Sequence, residues 1–250
     1  MYTPTAAQVP GLTEKNQSRL ETAFSAHGID VMGAYALTDR LAIEGSWYFR
    51  RERQYRDSAY RDSDGHRDKP DSIRYLRTLP SIGLAYTVPL ENGHHFFLST
   101  SAGYGRGRMR MSERDMRNMD ATGLPPAHFS HYYASLQRIY VQPAFLIRYD
   151  VLQLITSVRW SGVRYGFRHG TSLKAFSVSP HTTYSFMEGA MTLRFSPPGA
   201  RWLALEMQGG AALPGTGVTF DYHAVIGNAG ISVDPVGFIR WTRHGRQAAH

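Results

Sequence analysis

Residues 129–167, FSHYYASLQRIYVQPAFLIRYDVLQLITSVRWSGVRYGF, carry the pattern that decides the fold. Tyr133, Ile139, Val141, Phe145, Ile147 and Tyr149 fall on one face of a period-two alternation, and the intervening Gln137, Arg138, Tyr140, Gln142, Ala144 and Arg148 include the other. Asp150 breaks the run, after which Leu152, Leu154, Thr156, Val158 and Trp160 alternate with Gln153, Ser157, Arg159 and Ser161. Alternation of this length fits paired strands and no helical stripe. One face is apolar and aromatic-ended, and the other is small or polar with isolated arginines. A strand with lipid on one side and a polar interior on the other has this distribution.

The same alternation recurs outward from this hairpin. Towards the N-terminus it reads through Leu20–Ala26, Ile29–Leu37 and Leu41–Arg50, then Leu79–Tyr86 and Phe96–Tyr104. Towards the C-terminus it reads through Met187–Phe195, Leu203–Met207 and Val225–Val233, with the last strand expected to end in Val236–Trp241. Short connections near Asp39, Asn92, Asp150 and Pro198 alternate with longer ones around Gly65, Asp120, Gly170 and Gly215. Periplasmic turns and external loops of a membrane barrel alternate in this way. The expectation is all-β: one antiparallel transmembrane β-barrel of about ten strands. It occupies 17–241, after an irregular leader over 1–16 and before a polar tail over 242–250. No helix of consequence is required.

Composition agrees. The chain has 250 residues, 42% hydrophobic and 19% charged. No run of about 18 apolar residues exists to form a membrane helix, but a barrel dilutes its apolar residues one-to-one along each strand. In a soluble barrel or sandwich the outward face should be richly charged, whereas the second face here is mostly Ala, Gly, Ser and Thr. The net charge of +8 invites a nucleic-acid reading. Lysine, however, occurs only at Lys15, Lys69 and Lys174, and the remaining cations are arginines suited to buried ion pairs and phosphate grip. The reading is therefore outer-membrane lipid, including lipopolysaccharide-type headgroups, plus a protein partner in that membrane, and no nucleic acid. The expected location is the bacterial outer membrane. Absence of cysteine excludes disulfides and thiolate metal sites. Met1-Tyr2-Thr3-Pro4 lacks a basic start and apolar core, so a barrel that begins this way is expected to be a mature or recombinant form.

The leader Tyr2-Thr3-Pro4-Thr5-Ala6-Ala7-Gln8-Val9-Pro10-Gly11-Leu12-Thr13-Glu14-Lys15, the Gly28–Val31 start, Ala34–Asp39 and the Phe145–Val158 hairpin resemble the small outer-membrane barrels of the Bacteroidota. That resemblance implies a lipoprotein-type signal ahead of the leader, and it implies no catalytic residue.

Candidate sites follow from the strand register. Glu21, Asp30, Glu44, Glu188 and Glu206 share the polar face with Arg50, Arg138, Arg148, Arg159 and Arg194, a nearly balanced set. It reads as a charged plug of the lumen, in a structural or accessory subunit of a larger outer-membrane complex. A narrow, porin-like passive pore with ion-selecting charges is the alternative. Arg106, Arg108, Arg110, Arg114 and Arg117 form a rim with few acids, suited to headgroups or an acidic partner. Asp62 with Asp64 and Asp221 with His223 are weak catalytic candidates, similar in spacing to the water-activating groups of omptin proteases. Such short strings are common by chance, and the expectation is that the chain is not an enzyme. His94-His95 and His128 with His131 lack a third ligand, so neither a metal nor a cofactor is expected. Gly103, Gly105 and Gly107 lie inside a strand and are read as relieving crowding between barrel side chains.

Overall fold

A computed structural model describes residues 11–26, 28–56, 71–91, 95–115, 128–167, 182–216, 218 and 224–247. Ten strands run in chain order: β1 (Ser18–Ser25), β2 (Gly28–Ala36), β3 (Leu41–Arg56), β4 (Asp71–Pro89), β5 (Phe96–Asp115), β6 (His128–Tyr149), β7 (Leu152–Phe167), β8 (Thr183–Phe195), β9 (Leu203–Pro214) and β10 (Val225–Val233). Each pairs antiparallel with its sequence neighbours, and β1 pairs with β10 to close the barrel. Closure leaves no free edge strand, so within the barrel wall the strands satisfy one another's backbone groups without water.

The pleat separates two environments. Phe24, Trp47, Ile82, Leu84, Ile139, Val141, Met191 and Leu205 stand exposed on the outside, as does most of the apolar set read from the sequence. Glu21, Asp30, Glu44, Gln142, Ser157 and Glu188 are buried on the inside. Exposing this much apolar surface as a continuous belt is stable only in hydrocarbon. The protein is thus a transmembrane β-barrel. No helix among the described residues is long and apolar enough to cross a membrane.

The tight turn between β6 and β7 uses Asp150 at a φ of 44°, a left-handed conformation that a short polar side chain tolerates. The structure differs from the sequence expectation in two respects. β3 continues to Arg56, β4 begins at Asp71 and β5 continues to Asp115, so charged stretches read as loop are strand. Ladder bonds carry these strands beyond the apolar belt, where an alternating apolar face is no longer required. The second difference is at the C-terminus. The last strand ends at Val233, and Pro235–Gln247 is a helix, α1, which takes in the stretch 236–241 expected as strand and runs into the expected tail. Asp234 caps it: Val236 N donates to Asp234 Oδ1 at 3.1 Å, Phe238 N donates to the Asp234 carbonyl at 2.9 Å, and Pro235 opens the first turn. Phe238 and Trp241, one helical turn apart, pack on Trp202 with ring centroids 4.8 and 5.9 Å away.

Candidate functional site

The interior is the candidate site, because the expected lumen charges converge there. Glu21, Asp30, Glu44, Arg50, Arg138, Arg159, Glu188, Arg194 and Glu206 are all buried within the barrel, and Arg148 is half-buried at its short-turn end. Strand register chooses their partners.

Near the short-turn end, register places Arg194 of β8 between Gln153 of β7 and Glu206 of β9. Its Nε donates to Glu206 Oε1 at 2.6 Å, its Nη2 to Glu206 Oε2 at 3.2 Å, and its Nη1 to Gln153 Oε1 at 2.7 Å. Glu21 Oε2 of β1 stands 3.6 Å from the same Nη2. One guanidinium thus compensates two carboxylates carried by strands on either side of the closure seam.

Above it, Arg159 lies directly opposite Glu188. Its Nε and Nη2 both donate to Glu188 Oε2, while Ser161 Oγ donates to Oε1 at 2.9 Å. Glu188 is 0% exposed, so this pairing is what allows a carboxylate at that depth. Thr192, Gln208 and Asn228 form a neutral row beside it, with Gln208 Nε2 donating to Thr192 Oγ1 at 2.8 Å and Asn228 Nδ2 to Gln208 Oε1 at 3.2 Å.

Across the barrel, one register row reads Glu44, Gly83, Gly103, Tyr140 over β3 to β6. Tyr140 lies over the two glycines, and its hydroxyl donates to Glu44 Oε1 at 2.7 Å. A Cβ on Gly103 would meet the Tyr140 hydroxyl oxygen at 2.5 Å, and one on Gly83 would meet it at 2.7 Å. Gly83 and Gly103 therefore clear space for a phenol that bridges three strand intervals. Tyr140→Phe is expected to cost about 1–3 kcal/mol by leaving the Glu44 carboxylate short of a donor. An unfolding midpoint equal to wild type would show that Glu44 does not depend on this bond.

At the long-connection end the interior is aromatic. Tyr48, Tyr75, Leu79, Met109, Met111, Leu136, Val163, Tyr165, Tyr184 and Phe186 form one buried cluster, with Tyr132 and Val218 packed against it. Arg50 lies over the Tyr48 ring at 5.0 Å with Asp30 3.8 Å away, Arg138 over Tyr140 at 5.2 Å, and Arg77 over Tyr75 at 5.5 Å. The cation–π attraction offsets part of the cost of placing these cations inside.

Sequence reasoning missed three interior contributors. Residues 11–16, assigned to the leader, enter the short-turn mouth, where Leu12 is buried against Ala34, Ala36, Ala42 and Ala85. Arg148 fastens this segment, its Nη2 donating to the Gly11 carbonyl at 2.9 Å and its Nη1 to Thr13 Oγ1 at 3.1 Å. A cavity of about 520 Å³ remains at this mouth, bounded by Leu12, Arg19, Arg148, Arg194, Trp202 and Trp241 among others. Arg19 and Arg77 were passed over as well, although Arg19 shares its parity with Glu21, and Arg77 shares its parity with Leu79.

The rim candidates fare differently. Arg106, Arg108 and Arg110 stand exposed on the outer face of β5, while Arg114 belongs to β5 with a side chain outside the described set, and Arg117 lies outside the described residues. Asp62, Asp64, Asp221 and His223 also lie outside the described residues, as does His94. The His95 Nδ1–H donates to the Arg148 carbonyl at 3.1 Å, and no group of three metal-ligating side chains occurs among the described residues.

No family model matches the chain, and no curated protein matches it. Among solved structures, the chain is similar to the translocator domain of the autotransporter NalP from Neisseria meningitidis, at 11% identity and a TM-score of 0.42, covering 87% of this chain and 86% of that one. It is also similar to a loop L8 deletion mutant of OmpT, an outer membrane protein of Vibrio cholerae, at 9% identity and a TM-score of 0.27, covering 87% and 97%.

Proposed function

We propose that the protein is a non-conducting outer-membrane barrel that serves as a structural or accessory subunit of a larger outer-membrane complex. The observation that supports this reading is the occupied lumen. Leu12 and the Arg194 cluster narrow the short-turn end, the Arg159–Glu188 and Tyr140–Glu44 pairs occupy the middle, and an aromatic cluster the other end. Interior groups so committed to one another leave the lipid-facing flank and α1 as the described surfaces available for work. Ten strands enclose little more room than eight, whose side chains already fill a barrel.

Mild-detergent extraction of the native protein should give a particle containing a second membrane protein, read by sizing and mass spectrometry of what co-migrates. In planar bilayers the purified barrel should give no conductance steps. A lone particle with ohmic steps would replace this reading by the narrow-pore one. We further place the chain with the Bacteroidota barrels on its leader, a placement tested by finding an acylated N-terminus on the native protein.

A further inference from the structure

We infer that the outer face of β4–β6, at the long-connection end, binds the phosphates of a phosphorylated glycolipid in the outer leaflet. The inference rests on the membrane orientation of the barrel and not on its role as a subunit.

The apolar belt on β5 runs outward through Phe96, Leu98, Thr100, Ala102 and Tyr104. At ~3.4 Å per residue and a tilt near 40°, that run rises roughly 21 Å, close to the height of a barrel's apolar band. Its last row is Ile82, Tyr104 and Ile139 in register. The next outward positions on β5 are Arg106, Arg108 and Arg110, all exposed and spaced about 7 Å apart along the strand. Gly105, Gly107 and Met109 take the alternate inward positions, so this stretch puts small or apolar residues inside and arginine outside.

Neighbouring strands extend the patch. Arg74 of β4 and Arg51 of β3 are also exposed, and one register row reads Arg51, Leu76, Arg110, Tyr133. Arg110 lies over the Tyr133 ring at 5.6 Å, which holds the guanidinium against the sheet. Among the described residues none of these five arginines pairs with a carboxylate. The interior arginines Arg159 and Arg194, by contrast, are held by acids in register. A cluster of cations immediately above a hydrocarbon belt sits at the level of headgroups, within several ångströms of the hydrocarbon boundary. Guanidinium suits that place because it grips phosphate oxygens bidentately. An acidic protein would also meet this charge, but a lipid reaches it without leaving the surface on which its acyl chains already lie.

The test uses the full chain in detergent micelles, titrated with purified lipopolysaccharide, the same glycolipid after enzymatic dephosphorylation, and inorganic phosphate. Wild type should bind the intact glycolipid at least about tenfold more tightly than the dephosphorylated one. The triple variant Arg106→Gln, Arg108→Gln, Arg110→Gln should lose about as much, while triple replacement by Lys should retain part of the affinity and Arg201→Gln, at a short turn, should lose none. Equal binding of the dephosphorylated glycolipid by wild type would overturn the proposal without recourse to any variant. Inorganic phosphate binding as tightly as the glycolipid would overturn it in favour of an anion site. Loss of a co-purifying protein from the triple variant, with glycolipid binding intact, would overturn it in favour of a protein interface.

Discussion

Arg194→Met is expected to destabilise the barrel by about 3–5 kcal/mol, because it leaves buried carboxylates without their principal cation. Glu206 loses both of its hydrogen bonds from Arg194, Glu21 loses an ion pair at 3.6 Å, and Gln153 loses its donor. The three acceptors sit on β9, β1 and β7, so the loss is spread on both sides of the seam where β1 meets β10. Equilibrium urea unfolding in lipid vesicles reads the effect as a shifted midpoint at unchanged slope. A cost below about 1 kcal/mol, the range of exposed ion pairs, would mean that solvent reaches the cluster. The Arg159–Glu188 pair supplies the control. Arg159→Met alone should behave like Arg194→Met, whereas Arg159→Met with Glu188→Met should recover most of the loss, since a well-packed apolar pair replaces a buried ion pair at little cost.

Gly103→Val is the other substitution with a large expected effect, a loss of about 3 kcal/mol or more. A Cβ at that position meets the Tyr140 hydroxyl oxygen at 2.5 Å and the Ile82 carbonyl at 2.6 Å, and the carbonyl belongs to the neighbouring strand and cannot rotate aside. Tyr140 must then lift from the sheet and give up Glu44. The same unfolding series should show Gly209→Ala within about 0.5 kcal/mol of wild type, since nothing lies within 4 Å of a Cβ built on that outward glycine. If Gly103→Val unfolds with wild type, the Tyr140 bridge does not shape the interior.

Much of this architecture was legible along the chain, because the pleat of a strand writes its two environments into alternate residues. Phe145, Val158 and Met191 announce the lipid side, and Glu188, Arg159 and Arg194 announce the interior, before any fold is drawn. The order of short and long connections carries the topology for the same local reason. α1 was also written locally, in Asp234-Pro235, but Val236–Trp241 alternates well enough to pass for strand, and only the cap and the packing on Trp202 decide between them.

What the tertiary structure alone decided is which interior residue meets which. Ion pairing needs side chains within a few ångströms, and residues far apart in sequence, such as Glu21 and Arg194, come that close only once β1 and β10 close the barrel. The insertion of Leu12 among Ala34, Ala36, Ala42 and Ala85 depends likewise on a lumen that no single strand contains. Strand character is a property of each residue and its immediate neighbours, and so the sequence determined it by itself. The pairing of the lumen residues comes from register and closure, which join distant segments, and so only the folded barrel decided it.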